Sequence, residues 1–360
     1  MKLKNSLWAK LQLRFPNLSF YAAKKEANNK TESLAGSVVD KRVPVFKPLI
    51  LLLPAIFVLT LFTIIPFFLN IKYAFTYEKS PGHPSTTTFT MDGFKNVFES
   101  PTFGVAVRNS IMYGLIVLPF VMAISLIISS CIATAYRKWA RGIWQTIFFL
   151  PYITNIVAVS LSFIQFFSTF GMFNSMFHIQ VSWLETGDIY SFRPLLPMII
   201  QGVWSGLAFN ILISTTAMLS VDKNLYKSAS IDGIGGIKQF FHITLPSIKS
   251  TTTFLITMGI IGGIKVFPLA LFNNKPSDAI SNGASTLMLF IYERTNVGSG
   301  AVQVASAAAI CLFIIGILYS TLIRGGFGTI MKVSTNYGEN YVWNKIKNSE
   351  VMKEYQAKKK

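Results

Sequence analysis

The chain is expected to fold as an all-α integral membrane protein, with six transmembrane helices and a long cytoplasmic loop between the fourth and fifth. Three observations predict this. Of its 360 residues, 51% are hydrophobic and only 13% charged, where a soluble domain carries about a quarter charged residues. The apolar residues, 31 phenylalanines among them, come in long charge-free runs. The basic residues fall unevenly on the segments that join those runs.

A helix needs about 20 apolar residues to cross the hydrocarbon core. Residues 49–69, 111–135, 143–167, 195–219 and 301–323 meet this without a charge, and residues 253–272 meet it with one, Lys265. Pro54, Pro66, Pro119 and Pro151 lie in or near these runs. Membrane helices tolerate them because neighbours and local distortion satisfy the freed carbonyls.

Lysine and arginine set the orientation. A cytoplasmic N-terminus places residues 1–48, 136–142, 220–252 and 324–360 inside, with 25 of the 33 basic residues. The loops then outside, 70–110, 168–194 and 273–300, hold seven. The short segment Arg137-Lys138-Trp139-Ala140-Arg141 is where the rule is most dependable. Both termini are therefore expected in the cytoplasm.

The net charge of +18 belongs to these flanks, where anionic lipid attracts each basic residue by about 1 kcal/mol. Membrane lipid is the partner this implies, not nucleic acid. Three regions follow: a basic N-terminal segment 1–47, a six-span domain 48–323 and a basic C-terminal tail 324–360 ending in Lys358-Lys359-Lys360, read as solvated. The N-terminal segment lacks an apolar core ahead of a small-residue cleavage site, so the first run is expected to be an uncleaved anchor. Around Leu11-Gln12-Leu13-Arg14-Phe15 it suits either a short interfacial helix or a disordered leader.

Little in the chain suggests catalysis. Cys131 and Cys311 fall inside apolar runs and read as small packing residues. His83, His178 and His242 are scattered, with no metal-ligand spacing. There is no phosphate-cradling Gly-Lys-Ser/Thr motif and no acidic cluster of the kind membrane enzymes carry. Neither a metal nor a resident cofactor is expected. An ion-coupled secondary transporter stays open as a rival, although the inverted repeats common in such carriers are not evident.

The loop between the fourth and fifth runs is distinctive. Residues 222–231 suit a short helix with Asp222 at its start, where an acid is favoured. Gly233 offers the left-handed conformation that ends such a helix. Phe240, Phe241 and residues 243–245 form a second short apolar segment, and Pro246 stands where the next membrane helix is expected to begin. An amphipathic loop lying on the lipid surface fits the same pattern.

These residues resemble the cytoplasmic signature of ABC-importer permeases: Glu-Ala-Ala, three residues, Gly, nine residues, Ile, one residue, Leu-Pro. Here Lys227-Ser228-Ala229 holds the triplet, Gly233 follows after three residues, and Ile243 leads through Thr244 to Leu245-Pro246. Ile231-Asp232-Gly233 is similar to the sugar-importer branch; polyamine and inorganic-anion permeases more often carry Asp-Leu-Gly. Phe148-Phe149-Leu150-Pro151 and Trp204-Ser205-Gly206 extend the resemblance, which covers about residues 48–323.

The resemblance implies that the loop is a coupling helix seated in a groove of an ATP-binding subunit, with Tyr226, Lys227, Ser228, Ala229, Asp232, Gly233, Ile243, Leu245 and Pro246 carrying that contact. It implies ATP and magnesium on two partner ATP-binding subunits, a second homologous permease and an extracellular substrate-binding protein. The cargo implied is a sugar or oligosaccharide; glycerol phosphate or a polyamine is the alternative. Lys227 departs from the pattern, since the family carries an acid there, and this suits one half of a heterodimer whose other half keeps the acid.

Polar groups at membrane depth mark a substrate path or an interhelical hydrogen bond. Gln165, Gln201, Asn210 and Lys265 are such groups. The resemblance adds weight to Trp204, Asn210 and Lys265 as substrate-path residues, because sugar permeases use polar and aromatic groups on these helices. Lys265 alternatively snorkels to the interface. Gly259 and Gly263 form a small-xxx-small pair suited to close helix packing.

Overall fold

The computed structural model describes residues 46–78, 87–135, 137–295 and 301–347. The short amphipathic stretch near the N-terminus and the terminal lysine triplet lie outside them. The chain divides into two units, residues 1–68 and 69–360.

In the first unit, α1 (Phe46–Leu59) passes through a π turn at Thr60–Ile64 into α2 (Ile65–Ala74). Leu51, Phe57 and Phe62 on this stretch are exposed, as befits side chains whose solvent is lipid. The chain from Leu49 to Ala74 is long and apolar enough to cross a membrane.

The second unit takes in the end of α2 and then a short antiparallel ribbon, β1 (Thr76–Glu78) against β2 (Thr87–Phe89), with Tyr77 opposite Thr88. An amphipathic helix α3 (Asp92–Glu99) leads into α4 (Pro101–Thr134), 34 residues long with proline in its first turn, where the missing N–H costs nothing. Helix α4 starts ten residues before the apolar run expected for it. Its extra turns carry Arg108, which donates to the Tyr190 and Ser191 carbonyls at 2.9 and 3.3 Å and lies 3.8 Å from the centre of the Phe192 ring. Buried Asn109 donates to the carbonyls of Gly283 and Ser285 at 2.8 and 2.9 Å.

Residues 143–167, expected as one span, form two helices, α5 (Lys138–Ile153) and α6 (Ile156–Phe166), bent by 89°. Thr154 and Asn155 between them are extended, and the Asn155 side chain accepts from the Val157 N–H at 2.8 Å. That side chain is the cap of a new helix. The pair counts as one span only if the break is included. A short helix α7 (Met172–Phe177) follows. Asn174 within it donates to the Thr169 and Val181 carbonyls and accepts from the Trp183 indole at 2.7 Å.

Helix α8 (Leu195–Leu219) has the limits expected for it. The loop beyond contains α9 (Lys223–Ile231), α10 (Gly236–Gln239), a π turn at Phe240–Thr244 and the single turn α11 (Leu245–Ser247). Helix α12 (Lys249–Ile264) follows, so Pro246 stands one short turn before that helix. A break at residues 265–268, with Pro268, separates α12 from a 3-10 turn at Leu269–Phe272. Two short helices, α13 (Pro276–Ser281) and α14 (Leu287–Thr295), precede α15 (Ala301–Lys347). Helix α15 is 47 residues long and continues well past residue 323, where the apolar run ends.

Five stretches have membrane-crossing length and hydropathy among the described residues, one of them, Lys249–Phe272, including the break after α12, and the bent pair is a sixth candidate. Helices α4 and α8 share the most extensive contact of the bundle. Met122, Leu255, Ile256, Ile260, Ile264 and Tyr319 form a core between α4, α12 and α15. Helices α4 and α12 meet without side chains between them: a β-carbon at Gly263 would stand 2.8 Å from the Gly114 α-carbon. This is the close approach that small residues permit in membrane bundles.

Candidate functional site

The loop after α8 is built by local rules. Asp222 accepts from the Asn224 N–H at 3.0 Å, capping α9. At the other end the Ile234 N–H reaches the Ala229 carbonyl at 2.9 Å and the Gly233 N–H the Ser230 carbonyl at 3.1 Å. With Gly233 at φ +73°, this is a Schellman closure. Ser230 donates to the Tyr226 carbonyl at 2.8 Å.

Long-range contacts hold the two halves together. The hydroxyls of Tyr226 and Thr244 are 2.8 Å apart, and Gln239 donates to the Ile234 carbonyl at 2.7 Å and to Ser230 at 3.1 Å. Ala229 is buried, Tyr226, Ile243 and Leu245 are half-buried, and Lys227, Ser228, Asp232, Gly233 and Pro246 are exposed. Ile231 and Ile237 stand out at 87% and 80% exposure. The loop is therefore a fixed helical bulge with an apolar, partly basic outer face. Thr244 and Gln239, which hold it together, are not singled out by the sequence reading. Thr244 occupies the variable place in the Ile-x-Leu-Pro element, and nothing local marks Gln239.

A second feature is a crevice within the bundle. Two cavities, each of about 220 Å³, share Tyr113 and Gly202 in their walls. One is lined also by Ser160, Gln201, Ser205 and Pro268, the other by Gly114, Asn210, Gly259 and Gly263. Tyr113 lies over Gly202, where a β-carbon would collide with its hydroxyl. Gln201 donates to Ser160 at 2.8 Å, a buried bond between α8 and α6. The Ser205 hydroxyl is buried without a hydrogen-bond partner. The crevice offers amide and hydroxyl groups beside an aromatic ring, with no ionised side chain in its walls.

Asn210 lines this crevice and donates to the Gly206 carbonyl at 2.7 Å. Trp204 is half-buried against Phe163, ring centres 6.2 Å apart. Lys265 ends α12 and is exposed, as is Gln165. Among the described residues, no cluster of His, Cys, Asp and Glu is placed to hold a metal.

A bundle of lipid-length helices around a polar crevice, with an ordered helical bulge at one end, is the build of a multi-pass membrane transport component. The chain belongs to the family of binding-protein-dependent transport system inner membrane components, which matches residues 125–326. It is 42% identical to a probable ABC transporter permease protein of Mycoplasma genitalium, over 88% of this chain and 95% of that one. It is 25% identical to the arabinooligosaccharides transport system permease protein AraP of Halalkalibacterium halodurans, over 66% and 77% of the two chains. Its fold is that of a chain in a crystal structure of a bacterial alginate ABC transporter bound to an alginate-pentasaccharide-loaded periplasmic protein. That likeness has a TM-score of 0.62 at 24% identity and covers 77% of this chain and 92% of the other.

Proposed function

We propose that the chain is the membrane-spanning permease subunit of an ATP-driven importer, moving a sugar or oligosaccharide handed over by an extracellular binding protein. The observation that carries the reading is the loop: the Gly233 closure and the Tyr226–Thr244 bond hold the signature residues as one rigid bulge whose outer face, Lys227, Ser228, Ile231 and Asp232, is free to meet another protein. A rigid bulge transmits displacement to the helices on either side of it, α8 and α12. Those helices also wall the crevice, so movement at the loop changes its width.

In this reading ATP and magnesium sit on two partner subunits, a second permease completes the pathway, and both chain termini face the cytoplasm with the loop. The six-span domain is residues 48–323, between the basic flanks 1–47 and 324–360. The crevice is the solute path. Neutral amides, hydroxyls and an aromatic ring suit a sugar's hydroxyl-rich faces, and the names of the arabinooligosaccharide and alginate relatives support that class. Glycerol phosphate or a polyamine is the alternative cargo.

The test is affinity purification of the tagged chain in mild detergent with mass spectrometry of its companions. An ATP-binding subunit and a second multi-span permease are expected. Recovery of the chain alone, without any ATPase, overturns coupling through the loop and favours a secondary transporter.

A further inference from the structure

We propose that the cavity under the loop, where α9 meets the ends of α4, α5 and α8, binds a phosphate group that braces the loop against the bundle. The cavity has a volume of about 180 Å³, and its walls include Ser130 and Thr134 of α4, Arg141 of α5, Lys223 and Tyr226 of α9, and Thr244. It is separate from the crevice and shares no residue with it.

Its donors are not matched by acceptors. One Arg141 Nη donates to the Ala133 and Ala135 carbonyls at 3.3 and 2.9 Å, while its Nε is buried without a hydrogen-bond partner. The Tyr226 and Thr244 hydroxyls share a single proton between them, which leaves the other proton unspent. No carboxylate lines the cavity. The ion pairs among the described residues are Lys95–Glu99 and Arg294–Glu293, so neither Arg141 nor Lys223 has a carboxylate partner. Asp222, beside Lys223, accepts from the Asn224 backbone.

Two cations and a free hydroxyl in the walls of one small space, with Lys223 exposed to solvent, call for a compact anion with several acceptor oxygens. A phosphate monoester or diester supplies them, and a guanidinium with an ammonium is the pairing that recognises it. The group comes either from an anionic phospholipid or from a soluble phosphate. Bound there, it links Arg141 to Lys223 and so ties the start of α5 to the coupling helix. The loop's stiffness then depends on the anion.

The binding test is independent of any transport assay, so it stands or falls apart from the importer reading. The full chain is held in maltoside micelles in chloride buffer, and hydrogen–deuterium exchange is followed over residues 223–231. Inorganic phosphate is titrated in one series, and phosphatidylglycerol is mixed into the micelles in another. Slowed exchange with phosphatidylglycerol alone assigns a lipid headgroup, and slowed exchange with inorganic phosphate assigns a soluble ligand. In either case Lys223→Gln weakens the midpoint about tenfold, and Arg141→Lys, which keeps the charge, weakens it as well. No protection in either series, or protection unchanged in both variants, overturns the proposal.

Discussion

A β-carbon at Gly233 would meet no atom within 4 Å, yet the backbone there stands at φ +73°, which costs an L-residue about 1–2 kcal/mol. Gly233→Ala is therefore expected to fold and insert normally but to loosen the end of α9. Faster amide exchange at residues 231–234 and a fall in coupled ATP hydrolysis are the readouts; wild-type exchange would show that the turn tolerates a side chain. Lys227 presents a different case, being exposed with its charge in solution. If the lysine is matched to an acid on a second permease, Lys227→Ala keeps most transport while Lys227→Glu loses it, as an uptake assay would measure. Equal uptake in all three proteins would leave the lysine without a special role. Both residues could be picked out in the sequence because capping and signature spacing are local. The Tyr226–Thr244 bond joins positions 18 apart, and no local rule pairs them. Likewise Tyr113 enters the crevice wall only through its contact with Gly202 across two helices.

Hydropathy windows count apolar residues and do not register where the chain turns. This is why the limits of α8 could be read from its charge-free run, whereas α5 and α6 were expected as one helix. Thr154 and Asn155 lie in a run that carries no charge, and the signal for the break is the capping asparagine itself. The start of α4 was hidden for the opposite reason. Arg108 ends a charge-free count and Asn109 beside it is polar, yet both are satisfied by carbonyls of other segments. The bend gives a direct measurement. Spin labels at the exposed positions Ile143 and Gln165 would lie about 33 Å apart along an unbroken helix at 1.5 Å per residue. With arms meeting at 89°, the backbone separation is about 23 Å. A double electron–electron resonance distribution centred near the longer value, in nanodiscs, would show the pair straightened into one span.

For the whole molecule the deciding question is where the energy for transport enters. A secondary transporter draws on an ion gradient through ionisable groups inside its bundle, where a charged side chain is costly and marks such a path. The crevice here is walled by Tyr113, Ser160, Gln201, Ser205 and Asn210, without a carboxylate or histidine to carry a coupling proton. The ordered, outward-facing structure lies instead at the loop, away from that crevice, which is the arrangement the proposed importer needs to take its energy from another protein. Uptake by cells carrying the complete system is therefore expected to persist when an uncoupler collapses the proton gradient while ATP is maintained, and to stop when ATP is depleted with the gradient held. The reverse pattern would assign the work to an ion gradient and leave the loop a structural element only. A loop variant such as Gly233→Ala sharpens the comparison, because it alters no residue of the crevice wall and is expected to weaken ATP-dependent uptake.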